Sequence, residues 1–345
     1  MKAARLHGYG ETDQLRYDDT EKPELRSPTD AIVELKAAAV NQIDIRLRRG
    51  AGGHCLKLPH ILGGDGAGTV VSVGPEVKNV KPGDPVCLYP PISCGHCEFC
   101  RTQREHLCEQ RRLLGERENG TYAQYVKVPA RNCYPLPPIL TFEEAAAFPL
   151  VYITAWRMLL TDAEIKPGES VLILGIGGGI ATAALQIAAA LGCHTVVTSN
   201  NKERLAMAAK FGAEHAINCA SANFSKEVRK LTDKRGVDVV VNCSGGETWA
   251  QSLAALARGG RLVTCGVTTG ANPQSDLRRV FWNHLKIFGS AAGTHDEFHR
   301  VLNFISASQT KPIIDGIYPL KEAARAQQRL EERKHFGKVV LRIDT

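Results

Sequence analysis

Four cysteines stand in one short segment: Cys94, Cys97, Cys100 and Cys108, at spacings of three, three and eight residues. Thiolates so spaced can close a tetrahedral, all-sulfur zinc site within a single loop. Four protein ligands leave no open position for a substrate. The expectation is one zinc per chain, structural in role, in a lobe spanning residues 93–110. His96 sits inside the run but is surplus to a four-sulfur site. An iron–sulfur cluster is the competing reading, but the ferredoxin run carries a proline after its last cysteine, and here Glu109 follows Cys108.

The second chemistry-bearing run is Gly175-Ile176-Gly177-Gly178-Gly179-Ile180-Ala181, between the apolar stretch Val171–Leu174 and the Ala-rich stretch Ala181–Leu191. A strand, a glycine turn and a helix in that order can hold a dinucleotide pyrophosphate. The glycines permit close backbone approach, and the helix start offers unpaired N–H groups. An ordinary glycine-rich turn is the plainer reading, and the order of the surrounding elements argues against it. An NAD site places Asp or Glu about 20 residues past the glycines, on the ribose 2′-hydroxyl. Here that place holds Ser199, followed by Asn200, Asn201, Lys202, Glu203 and Arg204. A hydroxyl, two amides and two cations suit a 2′-phosphate, which a carboxylate would repel. NADPH is therefore the expected cofactor, with Ser199, Lys202 and Arg204 near its phosphate. The alternative leaves the two cations as the exposed face of the next helix.

Elements must position these groups. Before residue 150, strands are predicted at Ala31–Val40, Thr69–Val73 and Val86–Leu88, punctuated by turns such as Lys81-Pro82-Gly83-Asp84. From Ser170 the texture changes. Strands at Val171–Leu174, His194–Thr198, Val237–Asn242 and Gly260–Cys265 alternate with helices at Ala181–Leu191, Lys202–Phe211 and Thr248–Ala257. That alternation predicts βαβ units and a parallel sheet. The apolar runs of these strands show no alternation, as expected of a sheet covered on both faces.

At 345 residues, 43% hydrophobic and 23% charged, the chain suits a soluble protein of two domains. The net charge of +7, from 43 basic and 36 acidic side chains, is scattered and predicts no nucleic-acid partner. No apolar run approaches the roughly 20 residues of a membrane helix. The eleven cysteines are odd in number and no export signal opens the chain, so a reducing cytoplasm is expected. Cys133, Cys193 and Cys243 are predicted to be small buried hydrophobes.

Together these pieces resemble the medium-chain dehydrogenase/reductase superfamily, which holds zinc alcohol dehydrogenases and quinone oxidoreductases. The resemblance rests on Gly63-x-Asp65-Gly-Ala-Gly68-x-Val-x-x-Val-Gly74, the cysteine lobe, Gly120-x-Tyr122-Ala, the glycine loop and Gly337-Lys338-Val-Val. It implies an α/β fold, with a GroES-like, mostly β catalytic domain from residues 1–153 and 292–345. A Rossmann domain, a doubly wound parallel sheet over 154–291, is inserted. Further cofactor contacts implied by the resemblance are Thr154 at the nicotinamide, Asn218, Cys265, Gly266, Val267 and Lys338. The family often has Tyr after Ile-Asn near the adenosine, whereas this chain has Ile217-Asn218-Cys219. Homodimers or homotetramers are implied as well.

The resemblance also locates a departure. Zinc alcohol dehydrogenases hold a catalytic zinc with Cys, His and a further Cys or acid. The corresponding positions look like Asn41, Gly64 and Leu150, which are poor ligands or none. Ile43 stands where the proton-relaying hydroxyl would be. Asn41 with Asp44 is what the zinc-free quinone oxidoreductases show. The expected chemistry is hydride transfer from NADPH to an enone or quinone without a catalytic metal. Asn41, Asp44 and Thr154 form the catalytic set, with Asn41 donating to the substrate oxygen. Asp44 has a plainer alternative, anchoring its own loop. Tyr89, His54 and Tyr152 are candidate proton donors. Phe281-Trp282 reads as a substrate wall, a subunit contact or core packing. A carbonyl reductase, an alcohol dehydrogenase with unusual zinc ligands, and an NADPH-binding sensor with little turnover are the rival functions.

Overall fold

The computed structural model describes residues 1–51 and 55–344. The chain divides into two compact units, Met1–Leu150 with Thr294–Thr345, and Val151–Gly293.

In the first unit the long strand Asp30–Val40 organises a seven-stranded sheet. Its buried positions alternate through Ala31, Val33, Leu35 and Ala37, so one face carries the core. It pairs antiparallel with Asp65–Val73 on one side and with the C-terminal strand Lys338–Arg342 on the other. Val339 faces Val40, and Ala39 faces Asp65. The register therefore delivers residues 41, 65 and 338 to one end of the sheet, although they lie far apart in sequence. The predicted strand at Thr69–Val73 begins earlier, at Asp65. Gly66 and Gly68 permit this, because a Cβ at Gly68 would stand 2.0 Å from the Glu34 carbonyl oxygen of the neighbouring strand.

The second unit is a six-stranded parallel sheet. In space its strands run His215–Asn218, His194–Ser199, Ser170–Ile173, Val237–Asn242, Leu256–Thr264 and Lys286–Gly289. This is the order third, second, first, fourth, fifth, sixth, a Rossmann arrangement that reverses direction between the first and fourth strands. Helices Gly179–Ala190, Lys202–Ala209, Phe224–Leu231 and Trp249–Ala255 lie between the strands in sequence. The helix predicted at Thr248–Ala257 is shorter than expected. Thr248 closes a 3-10 turn, and Leu256 already belongs to the next strand, paired with Val237. Gly259, at φ +71°, lets that strand pass Arg258 and Gly260 despite a shift of register.

Candidate functional site

All six strands of the second unit are parallel, so their C-terminal ends share one edge of the sheet. That edge gathers the glycine loop, Ser199, Asn218 and Cys265-Gly266-Val267, which the sequence scatters over some ninety positions. The loop is tied down by the second strand: Gly175 N–H donates to Thr198 Oγ1 at 3.2 Å, and Ile176 N–H to the Thr198 carbonyl at 2.8 Å. Gly178 caps the helix Gly179–Ala190, whose first N–H groups open onto the loop. Gly177 is required twice. Its φ is +117°, and a Cβ there would lie 2.8 Å from Cδ and Nε of Arg204. The Arg204 side chain thus lies directly against the glycine loop, which the sequence spacing alone does not reveal.

Ser199 is buried, and its Oγ accepts from Asn201 N–H. Asn201 in turn caps the helix Lys202–Ala209 by accepting from Arg204 N–H. Lys202 is exposed. Asn218 ends its strand and accepts from Ala220 N–H at 3.0 Å. Sequence reasoning missed Asn242. It is fully buried at the reversal point, accepts from Ser244 and Gly245 N–H, and donates to Thr248 and Ser252. Its signal was an amide closing the apolar run Val239–Val241. Thr154 is buried within the helix Pro149–Trp156.

Lys338, a cofactor contact by the resemblance, belongs to the C-terminal strand Lys338–Arg342. Its ammonium, 4% exposed, lies in the first unit and spends its three N–H donors on three oxygens. These are the Val40 carbonyl at 3.0 Å, Asn41 Oδ1 at 2.5 Å and Asp65 Oδ2 at 3.2 Å. Asn41 Nδ2 donates back to Asp65 Oδ2 at 2.8 Å, and Asp65 Oδ1 accepts from Leu150 N–H at 2.9 Å. An ammonium offers only donors, so it fixes which way the Asn41 amide faces. Asp65 carries no exposure at all, and Lys338 is the cation that makes its charge tolerable there.

Asp44 lies in the first turn of the helix Gln42–Arg48, which Asn41 caps, and serves its own loop. Its Oδ2 accepts from Asn41 N–H at 2.8 Å and from the Tyr122 hydroxyl at 2.9 Å. Burial pushes its carboxyl up to about 6, against the pull of those two donors and of Lys338. Asp65 and Tyr122 belong to motifs that the sequence displayed, but with no role attached to either.

The candidate proton donors divide. Tyr89 is packed among His295, Phe298 and Tyr134, with ring centroids 4.3, 5.3 and 6.3 Å away, and burial raises its hydroxyl far above the usual range. Tyr152 is buried and donates to Gln186 Oε1 at 2.5 Å. His54 lies outside the described residues. Phe281 and Trp282 are 63% and 67% exposed, which overturns the core-packing reading. Their helix, Leu277–Trp282, is short and buries none of its residues.

The thiols of Cys94, Cys97, Cys100 and Cys108 all lie within 4.8 Å of one another, and Cys94 Sγ is 3.8 Å from Cys100 Sγ. Tetrahedral zinc with bonds of about 2.3 Å needs sulfurs about 3.8 Å apart, so the cluster fits that ion. Backbone N–H groups of His96 and Cys97 pull the Cys94 thiol down to about 6. His96 turns aside, its Nδ1 on the Cys94 carbonyl. Among the described residues this is the one group of three or more His, Cys, Asp or Glu side chains placed to hold a metal. No helix among them is long and apolar enough to cross a membrane.

Comparison with known proteins agrees with this architecture. Residues 27–138 match the alcohol dehydrogenase GroES-like domain, and residues 179–307 match the zinc-binding dehydrogenase family. A zinc-type alcohol dehydrogenase-like protein of Schizosaccharomyces pombe is 32% identical over 96% of each chain. A quinone oxidoreductase of Mus musculus is 28% identical over 95% of this chain and 93% of its own. A crystal structure of an NAD-dependent alcohol dehydrogenase superposes with a TM-score of 0.95, at 38% identity and full coverage of both chains.

Proposed function

Since the chain belongs to the medium-chain dehydrogenase/reductase superfamily, in its zinc-type alcohol dehydrogenase-like and quinone oxidoreductase-like branch, we propose that it reduces enones or quinones with NADPH, without a catalytic metal. It is an oxidoreductase, and its fold implies a nicotinamide dinucleotide. The observation that carries the finer reading is the cluster of Asn41, Asp65 and Lys338. Where the resemblance puts zinc ligands, the chain has an amide, a glycine and a leucine, and a lysine ammonium braces the amide.

A bound nicotinamide would supply the hydride. The chain's part is to orient and to polarise. Lys338 occupies Asn41 Oδ1, so the amide cannot turn, and it draws electron density from Nδ2. One Nδ2 hydrogen goes to Asp65; we assign the other to the substrate oxygen, on which charge gathers as the hydride arrives. Asp44 we assign to positioning, since its oxygen serves Asn41 N–H and Tyr122. Arg204 against the glycine loop, with Ser199 and Lys202, supports the choice of NADPH. The four cysteines would hold one structural zinc. The exposed Leu277, Phe281 and Trp282, next in sequence to the sheet-edge strand Lys286–Gly289, support a homodimer or homotetramer.

The test is turnover on a panel of enones, quinones and activated ketones with NADPH and with NADH, for the parent and for Asn41→Ala. Loss of one donor to a developing oxyanion costs on the order of 10²-fold in turnover, with cofactor affinity unchanged. An unchanged turnover removes Asn41 from the mechanism. The relatives' names favour a second reading, an alcohol dehydrogenase. It requires a second zinc per chain, which elemental analysis of the purified protein decides.

A further inference from the structure

Two adjacent parallel strands of the second unit, Val237–Asn242 and Leu256–Thr264, are each followed by a cysteine. The register pairs Asn242 with Thr264, so Cys243 and Cys265 stand side by side one residue beyond. The Cys265 thiol donates to Cys243 Sγ at 3.4 Å. Cys243, predicted to be a small buried hydrophobe, is half-buried, as is Cys265. Neighbouring strands lie about 4.8 Å apart, inside the span of Cα positions that a disulfide joins. Closing the sulfurs to about 2.05 Å therefore asks for side-chain rotation rather than backbone movement.

The two following loops are already held together. Thr269 N–H donates to the Ser244 carbonyl at 2.8 Å, and Gly246 N–H to the Gly270 carbonyl at 2.9 Å. A Cβ at Gly266 would stand 2.5 Å from the Cys243 carbonyl oxygen. A Cβ at Gly175 would meet Ser244 Oγ at 3.8 Å, so the glycine loop is the next neighbour. A covalent link at this point would stiffen segments that must accommodate a dinucleotide.

We propose that Cys243 and Cys265 are a reversible disulfide site, oxidised by hydroperoxides and opposed by bound dinucleotide; the second half rests on the dinucleotide reading above. One sulfur attacks the peroxide O–O bond, becoming a sulfenic acid and releasing water or an alcohol. The other sulfur then displaces the sulfenic oxygen, which leaves as water. Two thiols lose two electrons and two protons, and one peroxide is reduced. The coupling is reciprocal: if the disulfide weakens dinucleotide binding, saturation with dinucleotide protects the thiols by the same factor.

The experiment uses the full chain carrying its zinc. Binding of NADPH and of NADH to the reduced protein is measured first; if neither binds, the dinucleotide reading fails and the cysteine pair is judged on its chemistry alone. Hydrogen peroxide is then added, remaining thiols are blocked with maleimide under denaturing conditions, and peptides are analysed by mass spectrometry. A Cys243–Cys265-linked peptide is expected, reversed by dithiothreitol, with dinucleotide affinity lowered by roughly tenfold and restored on reduction. Cys243→Ser and Cys243→Ala should bind dinucleotide as the parent does, and keep that affinity through peroxide treatment. Oxidation confined to Cys94–Cys108 with zinc release, or unlinked oxidation of Cys243 and Cys265, overturns the site. A linked peptide that neither changes affinity nor is suppressed by dinucleotide overturns the coupling.

Discussion

The cysteine lobe and the Asn41–Asp65–Lys338 cluster both gather polar groups that would be costly alone, yet they are built in opposite ways. The lobe takes its four sulfurs from one segment, residues 94 to 108, and a short loop can bring them within 4.8 Å of each other. The cluster joins groups 24 and 297 positions apart, and only strand register brings them together. The lobe leaves a metal to balance its thiolates. The cluster carries its own cation, on a side chain with three donors and three acceptors to match. A local motif thus announces its ligand in the sequence, whereas a long-range cluster announces nothing until the sheet is formed.

The largest expected effect is on the lobe. Chelation of zinc, or Cys97→Ser, should remove metal binding, a term on the order of 10 kcal/mol in small zinc modules. Elemental analysis should show one zinc per chain falling to none, together with a lower Tm. If the Tm is unchanged after the metal is lost, the lobe is not held by zinc.

Next is the cluster. Lys338→Met leaves the Asp65 carboxylate buried without its cation, a loss of about 3–5 kcal/mol in denaturant unfolding. Adding Asp65→Asn to it should recover part of that loss. A single variant as stable as the parent would show that the ammonium is not what permits the buried charge.

Asp44 sharpens the comparison through pH. Its folded carboxyl sits near 6, above the ordinary carboxylate value, so folding favours its neutral form. The stability this adds is fully present below about pH 4 and is lost as pH rises through 6. Asp44→Asn removes the dependence. The Tm of the variant minus that of the parent should therefore grow between pH 4 and 6.5 and level off above, reflecting on the order of 2–3 kcal/mol. A difference independent of pH would mean that Asp44 is charged at no cost.

The smallest effect concerns the glycine loop. Arg204→Ala should weaken NADPH binding by about 1–3 kcal/mol and leave NADH nearly unaffected, as fluorescence titration would show. Equal weakening of both would assign Arg204 to packing against Gly177 rather than to a phosphate.

The sequence by itself determined the parallel-sheet unit, because apolar strands alternating with helices have few other solutions. It also determined the four-cysteine lobe and the glycine turn, because each is a local arrangement set by residue type and spacing. Only the tertiary structure decided where Lys338 goes, since Val339 opposite Val40 is a matter of register between the two ends of the chain. It alone decided that Arg204 lies on Gly177, that Asp44 meets Tyr122, and that Cys243 meets Cys265. Such contacts join segments whose separation in sequence carries no trace of their distance in space, and their energies exist only after the sheets have formed.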